Sequence, residues 1–384
     1  MNTQSSGKFF TRRASMKKML WLLAFTPALF LTPSANAGLL DSLISSPAAK
    51  EEPPFDLTAS PESLLDKYVE IEVDKEGMLK DIKRVAITQF QIEFLTHSSA
   101  NAYSHSGYGS NSSNANAYVN AKLEGVGNNE FQTIADRYYD TLVKELNAAG
   151  IEVVDQAQVL ANSDYKELTS SGKKSPVEED ADAGKGTFVS SRDIPIWFNH
   201  EKGFVSGSGF FKKKDEGKDI YQSFGTSLGM MFSGKAEAIN EPNLAKTFDA
   251  ASLRVRITVP FVQIKTNAKD STTSISGKAE TVTRGKVQIE KWVTRMSFVT
   301  QDRKHARIRL KEPIVGATPV GDMKDVTTTG EKAVDAAANV IAVATMFMGG
   351  SVKGTMQSGT SYSLQADPKL YVDTVNAHLD ATQK

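Results

Sequence analysis

The sequence predicts a mixed α+β fold, with a strand–helix–strand–helix unit followed by an antiparallel sheet and C-terminal helices. Three observations carry that reading. The segment "NNEFQTIADRYYDTLVKELNAAG" repeats apolar residues at helical spacing and lies between two strand-like stretches, "KRVAITQFQIEFL" and "IEVVD". The run "LRVRITVPF" alternates apolar and polar residues and is followed by the strand-like "GKVQIEKWVTRMSFVTQ" and "ARIRLKE". The chain then closes on two helix-like segments, one apolar on nearly every face and one amphipathic.

Residues 1–37 join Lys8, Arg12, Arg13, Lys17 and Lys18 to the apolar run "MLWLLAFTPALFLT" and to Ala35-Asn36-Ala37. This is the plan of a signal peptide cleaved near Ala37–Gly38, which predicts export to the periplasm or to an outer-membrane-associated location in a Gram-negative envelope. The apolar run falls short of the roughly 20 residues of a membrane-spanning helix, so cleavage is expected over anchoring. "TRRASMK" fits either a twin-arginine export signal or an ordinary basic leader. Cleavage removes five basic and no acidic side chains, leaving 40 basic against 45 acidic and a net charge of −5. A mildly acidic chain offers nucleic acid no electrostatic footing, and none is expected as partner. With no cysteine, disulfides, thiolate chemistry and a lipid on an amino-terminal cysteine are excluded, so outer-membrane association would be peripheral.

Residues 38–62 carry Pro47, Pro53, Pro54 and Pro61 among small and acidic residues and read as an extended lead-in. The α/β unit over 63–170 begins with a strand in which Val85 and Ile87 share one phase and Phe90, Ile92 and Phe94 the other, so a bulge or twist is expected near Gln89. Its long helix is expected to be capped by Asn129, with Gln132 as capping partner and Gly150 as stop. "IEVVD" then reads as a strand parallel to the first, and "QAQVLANSDYKEL" as a second helix capped by Asp155.

Within this unit an insertion at 98–123 begins "SSANAYSHSGYGSNSSNANA". Asn-Ala-Tyr occurs at 101–103 and again at 116–118, and Ala115, Ala117, Val119, Ala121 and Leu123 alternate with polar residues. Two readings fit: an extended hairpin with a glycine-rich tip, or a variable loop without fixed structure. As a hairpin it presents Tyr103, His105, Tyr108 and Tyr118 as binding residues for a partner or a sugar.

Residues 169–186 are polar and charged, and the glycine-rich, aromatic segment over 171–250 gives no clear succession of elements. In 251–384, Leu253, Val255, Ile257, Val259 and Phe261 alternate with Arg254, Arg256 and Thr258, which predicts a half-buried antiparallel strand. Ala336–Met348 would span about 20 Å as a helix, too short for a bilayer core, and reads as a buried or subunit-interface helix. Asp367 and Pro368 begin the last helix, whose Tyr371, Val375 and Leu379 can dock.

The strongest catalytic pattern is Gly225-Thr226-Ser227-Leu228-Gly229, a G-x-S-x-G match that in a serine hydrolase would need an acid and a histidine downstream. His305 and His378 are the downstream histidines, with Asp270, Asp302 and Asp325 as acids. The pattern is short enough to arise by composition, and the strands after Ser227 do not alternate with helices as hydrolases require. "DADAGKG" begins like a calcium loop but places Ser191 where a glutamate is needed, and the five histidines lack metal-ligand spacing. No metal and no cofactor are therefore expected. Trp197 with Tyr103 and Tyr108 could instead serve a carbohydrate-binding module.

"RVAITQF" followed by "ADRYYDTLVKELNAAGIEVVDQAQVLANSDYKEL" resembles the periplasmic α/β unit of the curli secretion channel protein, related envelope lipoproteins and the TolB amino-terminal domain, over about 90 of 384 residues. The resemblance implies envelope assembly, secretion or scaffolding by outer-membrane-associated oligomers without catalysis, and it would make "IYQSFGTSLGMMF" one strand of a membrane hairpin. The chain departs from that group in having no lipidated cysteine and in carrying the serine- and asparagine-rich insertion. The function expected from the sequence is a non-catalytic envelope protein that forms a homo-oligomer or binds an envelope partner, with hydrolase and carbohydrate-binding module as the alternatives.

Overall fold

The computed structural model describes residues 53–108, 111–181, 184–198, 237–269, 278–291, 293–329, 332 and 353–383. Helix α1 (Pro61–Tyr68) starts where Ser60 Oγ accepts the Ser63 N–H and Pro61 sets the first turn. It leads into β1 (Val69–Val73), the one-turn α2 (Met78–Asp81) and β2 (Arg84–Tyr108). There follow β3 (Asn111–Glu124), α3 (Asn128–Ala148), β4 (Glu152–Val153), α4 (Gln156–Ala161), α5 (Ser163–Leu168), β5 (Val177–Ala181) and β6 (Gly184–Val189). Residues 237–248 are helical, and the chain continues through β7 (Ala251–Val259), β8 (Gln263–Lys269), β9 (Lys278–Arg284), β10 (Gln288–Ile289), β11 (Arg295–Val299), β12 (His305–Leu310), β13 (Ile314–Val315), β14 (Gly321–Asp325), β15 (Lys353–Ala366) and α6 (Pro368–Ala381).

The result is a mixed α/β fold with an N-terminal strand–helix–strand–helix region, a central mixed sheet and a C-terminal helix. The main path of the sheet runs β1-β12-β11-β7-β2-β3-β15-β14, with β4 and β6 also paired to β2. As expected, β4 lies parallel to β2, joined through the α3 crossover. Register shifts between Ile87 and Gln89, the bulge the changing phase predicted. Freed there, the Thr88 carbonyl accepts both the Trp197 indole N–H at 3.0 Å and the Tyr165 hydroxyl at 3.3 Å.

One sheet face packs Val85, Ile87, Phe90, Ile92 and Phe94 of β2 against Phe131, Ile134 and Tyr138 of α3 and against Tyr371, Val375 and Leu379 of α6. Phe94 stacks on Phe131 at 4.4 Å, and the Tyr139 ring meets Phe90 edge-on at 5.2 Å. Burial raises the Tyr138 and Tyr139 phenols to about 12 and pushes those of Tyr165 and Tyr371 up as well. On the opposite face Ala86, Val159, Tyr165, Leu168, Trp197 and Leu244 form a smaller core.

Several expectations are corrected. Helix α3 begins earlier than Asn129: Gly127 occupies the cap, its N–H donated to Glu130 Oε2 at 2.9 Å, while Gln132 reaches Asp136 and the Ser190 carbonyl. The predicted second helix is two short ones, because Asn162 Oδ1 accepts the N–H groups of Asp164 and Tyr165 and starts α5 afresh. Asp155 caps α4 as expected. Within the polar, charged stretch at 169–186, for which no element was expected, the chain forms the β5–β6 hairpin, with Asp180 opposite Lys185.

The largest correction concerns β7, which was expected to be antiparallel and half-buried. It runs parallel to β2 and antiparallel to β11, and both of its faces are buried. Arg254 is 3.4 Å from Glu241 and 3.5 Å from Glu237, and Arg256 is 3.7 Å from Glu93, which also accepts the Thr258 hydroxyl at 2.8 Å. The carboxylates supplied by β2 and by the helix at 237–248 are what allow guanidinium groups at these interior positions. The array continues outward through Arg295 on β11 to Arg307 and Arg309 on β12, which bridge Glu72 and Glu70 on β1.

Candidate functional site

Beyond Leu95 the second half of β2 leaves the core and folds back as β3. Their antiparallel register runs from His97↔Lys122 to Tyr108↔Asn111, so the insertion is a long hairpin and not an unstructured loop. The two Asn-Ala-Tyr repeats pair with each other, Asn101 opposite Tyr118 and Tyr103 opposite Asn116. The near-palindrome in the sequence is therefore the hairpin's own register. On its far side β3 takes β15 in parallel, Lys353↔Ser112 through Gln365↔Glu124, completing a three-stranded ribbon.

Alternation divides the ribbon into two faces. Ala117, Val119, Ala121 and Leu123 of β3 are buried, on the side approached by the β8–β9 hairpin, whereas Tyr118 is half-buried and Asn120 and Lys122 are exposed. By register, Tyr103 and His105 share the face of Tyr118, while Tyr108 falls on the other. These are placements by backbone register alone, three positions on one face of the ribbon and one on the other.

Tyr118 sits opposite Gly359, and a Cβ placed on that glycine would lie 1.8 Å from Tyr118 Cζ and 2.2 Å from its Oη. The phenol ring consequently lies across the β15 backbone, in space that only glycine leaves open. No Asp, Glu, Lys or Arg occurs in the 24 residues from Ser98 to Ala121 or from Gly354 to Ala366, in a chain that is 23% charged. Charge returns at the ribbon's base, where Lys122 at 2.8 Å and the Ser363 hydroxyl at 2.8 Å hold the Glu124 carboxyl below its usual range.

The ribbon also has two strand edges. Because β3 and β6 both pair with His97 and Ser98, they lie on opposite sides of β2; from 99 to 108 no strand among the described residues continues the β6 side. On β15, β14 pairs with 362–366, and among the described residues no further strand continues that side over 353–358.

The alternative chemistry is distributed differently. Ser227 and Asp270 lie outside the described residues, as does Ala336–Met348. His305 is exposed at the start of β12 and donates its backbone N–H to Asp74, whereas His378 is buried in α6 with Nδ1 2.6 Å from the Thr374 carbonyl. Asp302 is engaged by the Thr300 hydroxyl and Asp325 by the backbone N–H of Thr327. Trp197 is 1% exposed and committed to Thr88, which removes it as a sugar platform. Among the described residues no three His, Asp or Glu side chains group as metal ligands, and no helix is long and apolar enough to cross a membrane.

Sequence reasoning missed β15 and its Gly359. The available signal was the short alternation of Tyr362, Leu364 and Ala366 with Ser361, Ser363 and Gln365. The chain is therefore a mixed α/β protein carrying an uncharged polar β-ribbon. Comparison with protein-family models, with curated proteins and with solved structures finds no match.

Proposed function

We propose that this is a non-catalytic, exported envelope protein that acts in assembly, secretion or scaffolding through self-association on its ribbon. The observation that carries the reading is an uncharged ribbon with two strand edges that no other described strand continues. Soluble proteins ordinarily guard such edges with lysine, proline or bulges, since exposed N–H and C=O groups template pairing with another chain. Strand direction suits a second copy: β15 runs parallel to β3 and hence opposite to β2, so the β15 edge of one copy meets the β2 edge of the next as an antiparallel pair. A head-to-tail contact of that kind generates a ring or a filament. The signal-like amino terminus and the resemblance of the α/β unit to envelope proteins support the location.

Light scattering on the mature chain, with and without detergent, tests the proposal. The expected result is an oligomer that Asn101→Lys with His105→Lys reduces to a monomer. A wild-type chain that is monomeric under both conditions would overturn it.

A further inference from the structure

We propose that the apolar run "LLDSLI" at 39–44 docks on the uncovered end of the sheet's apolar face, at Ile71 and Val73 of β1, as a strap within one chain. The run itself lies outside the described residues. The face it fits is a continuation of the core. By register, Phe90, Val255, Met296, Ile308 and Ile71 form one row across five strands from β2 to β1. Phe90 is fully buried against α3, Met296 and Ile308 are half-buried, and Ile71 at the far end is 52% exposed. The neighbouring row begins at Ile87, with no exposure, and ends at Val73, with 41%. On the other face of β1, Glu70 and Glu72 are held by Arg309 and Arg307, so only the apolar face of this strand is left open.

The place where the chain enters selects the occupant. Phe55 is buried, donates its N–H to the Val315 carbonyl at 2.9 Å, and sets its ring 4.9 Å from that of Tyr68, the residue before β1. The chain thus arrives beside the start of β1, and only residues 45–54 separate the apolar run from Phe55. Fully extended, that tether reaches about 35 Å, twice the roughly 17 Å of a five-residue strand. Pro47, Pro53 and Pro54 restrict it and lessen the entropy lost on docking. A tether of this length holds the run near the face at an effective concentration on the order of 1 mM, ahead of any separate molecule. Leu39, Leu40, Leu43 and Ile44 fall on one side at helical spacing, with Asp41 and Ser42 on the other, so the run has one apolar stripe to bury. β1 and the ribbon lie at opposite ends of the sheet path, and this proposal does not rest on self-association.

The chain has no cysteine, so a single introduced thiol reports on its own position. Maleimide labelling of Ile71→Cys in the mature chain is compared with labelling of the same variant carrying Leu40→Asp and Leu43→Asp. The two aspartates should speed labelling about tenfold, because a carboxylate resists burial against an apolar face. Glu72→Cys, on the opposite face of the strand, should label at the same rate in both backgrounds. Should Ile71→Cys fail to fold by circular dichroism, Val73→Cys takes its place. Equal labelling with and without the aspartates would overturn the proposal, as would an equal acceleration at Glu72→Cys, which would mark a general loosening. Protection that grows with protein concentration would also overturn it, since a second copy would then be the cover. Light scattering of the Leu40→Asp, Leu43→Asp chain should return the wild-type mass, which separates failure here from failure of self-association.

Discussion

The two halves of β2 belong to one 25-residue strand yet face opposite physical problems. Residues 85–95 are buried on both sides, whereas the stretch from Ser98 onward carries serine, asparagine, alanine and tyrosine and no charge. The first half has partners on every side: β7 along one edge, helices over one face, and carboxylate–guanidinium pairs on the other. The second half has β3 along that same edge and, among the described residues, no strand along the opposite edge beyond Ser98. A single strand thus passes from a region that specifies the fold to one free to specify contacts, and substitutions should separate the two.

The largest effects belong to the first half. Phe90, fully buried against Tyr138 and Tyr139, should cost about 3–5 kcal/mol as Phe90→Ala in chemical denaturation. Glu93→Ala removes the carboxylate that Arg256 and Thr258 share and should cost a similar 3–5 kcal/mol, most of it the penalty on the buried guanidinium. By contrast Asn120→Ala, at an exposed position of β3 paired with this second half, should shift stability by about 0.5 kcal/mol or less. Equal losses at Phe90 and Asn120 would dissolve the contrast between the halves.

Alkali gives an intermediate test. Tyr138 is raised to about 12, chiefly by burial, from an ordinary phenol value of 10.0. The folded state therefore holds that proton more tightly, and the stability it contributes is fully present below pH 10 and lost as pH rises toward 12. The slope is about 1.4 kcal/mol per pH unit for such a group, and Tyr165 and Tyr371 shift in the same direction. Melting temperature should fall steeply between pH 10 and 12, and Tyr138→Phe should flatten that fall. A melting temperature level across this window would count against the buried setting of these phenols.

Much of this contrast was legible in the sequence, and what was not has physical causes. The α3 helix, the bulge near Gln89 and the α6 cap at Asp367 are local events, written in spacing and in capping side chains. The hairpin was one of two readings open to the sequence: the mirrored repeat and the alternating return strand fit a two-stranded register, while the serine- and asparagine-rich composition fitted a loop equally well. The burial of Arg254 and Arg256 could not be read: alternation with charge looks the same whether the charged face meets water or a row of glutamates drawn from distant segments. The pairing of β15 with β3 joins residues more than 200 positions apart, and no local pattern announces Gly359 beneath Tyr118.

The smallest expected effect is also the most specific. Along β2 from 99 to 108, strand geometry directs alternate N–H groups toward β3 and the others toward the opposite edge. In dilute monomer, hydrogen exchange over this stretch should therefore show a period of two, slow amides inside the ladder and fast ones between. Over 85–94 the same strand pairs with β7 inside the core, and exchange there should be uniformly slow. If another copy supplies its β15 edge, raising the concentration should slow the fast set selectively and leave 85–94 unchanged. Uniform fast exchange over 99–108 would mean that the hairpin opens as a whole, whereas uniform slow exchange in the monomer would mean that the outer edge is already closed within the chain, which removes the basis for self-association.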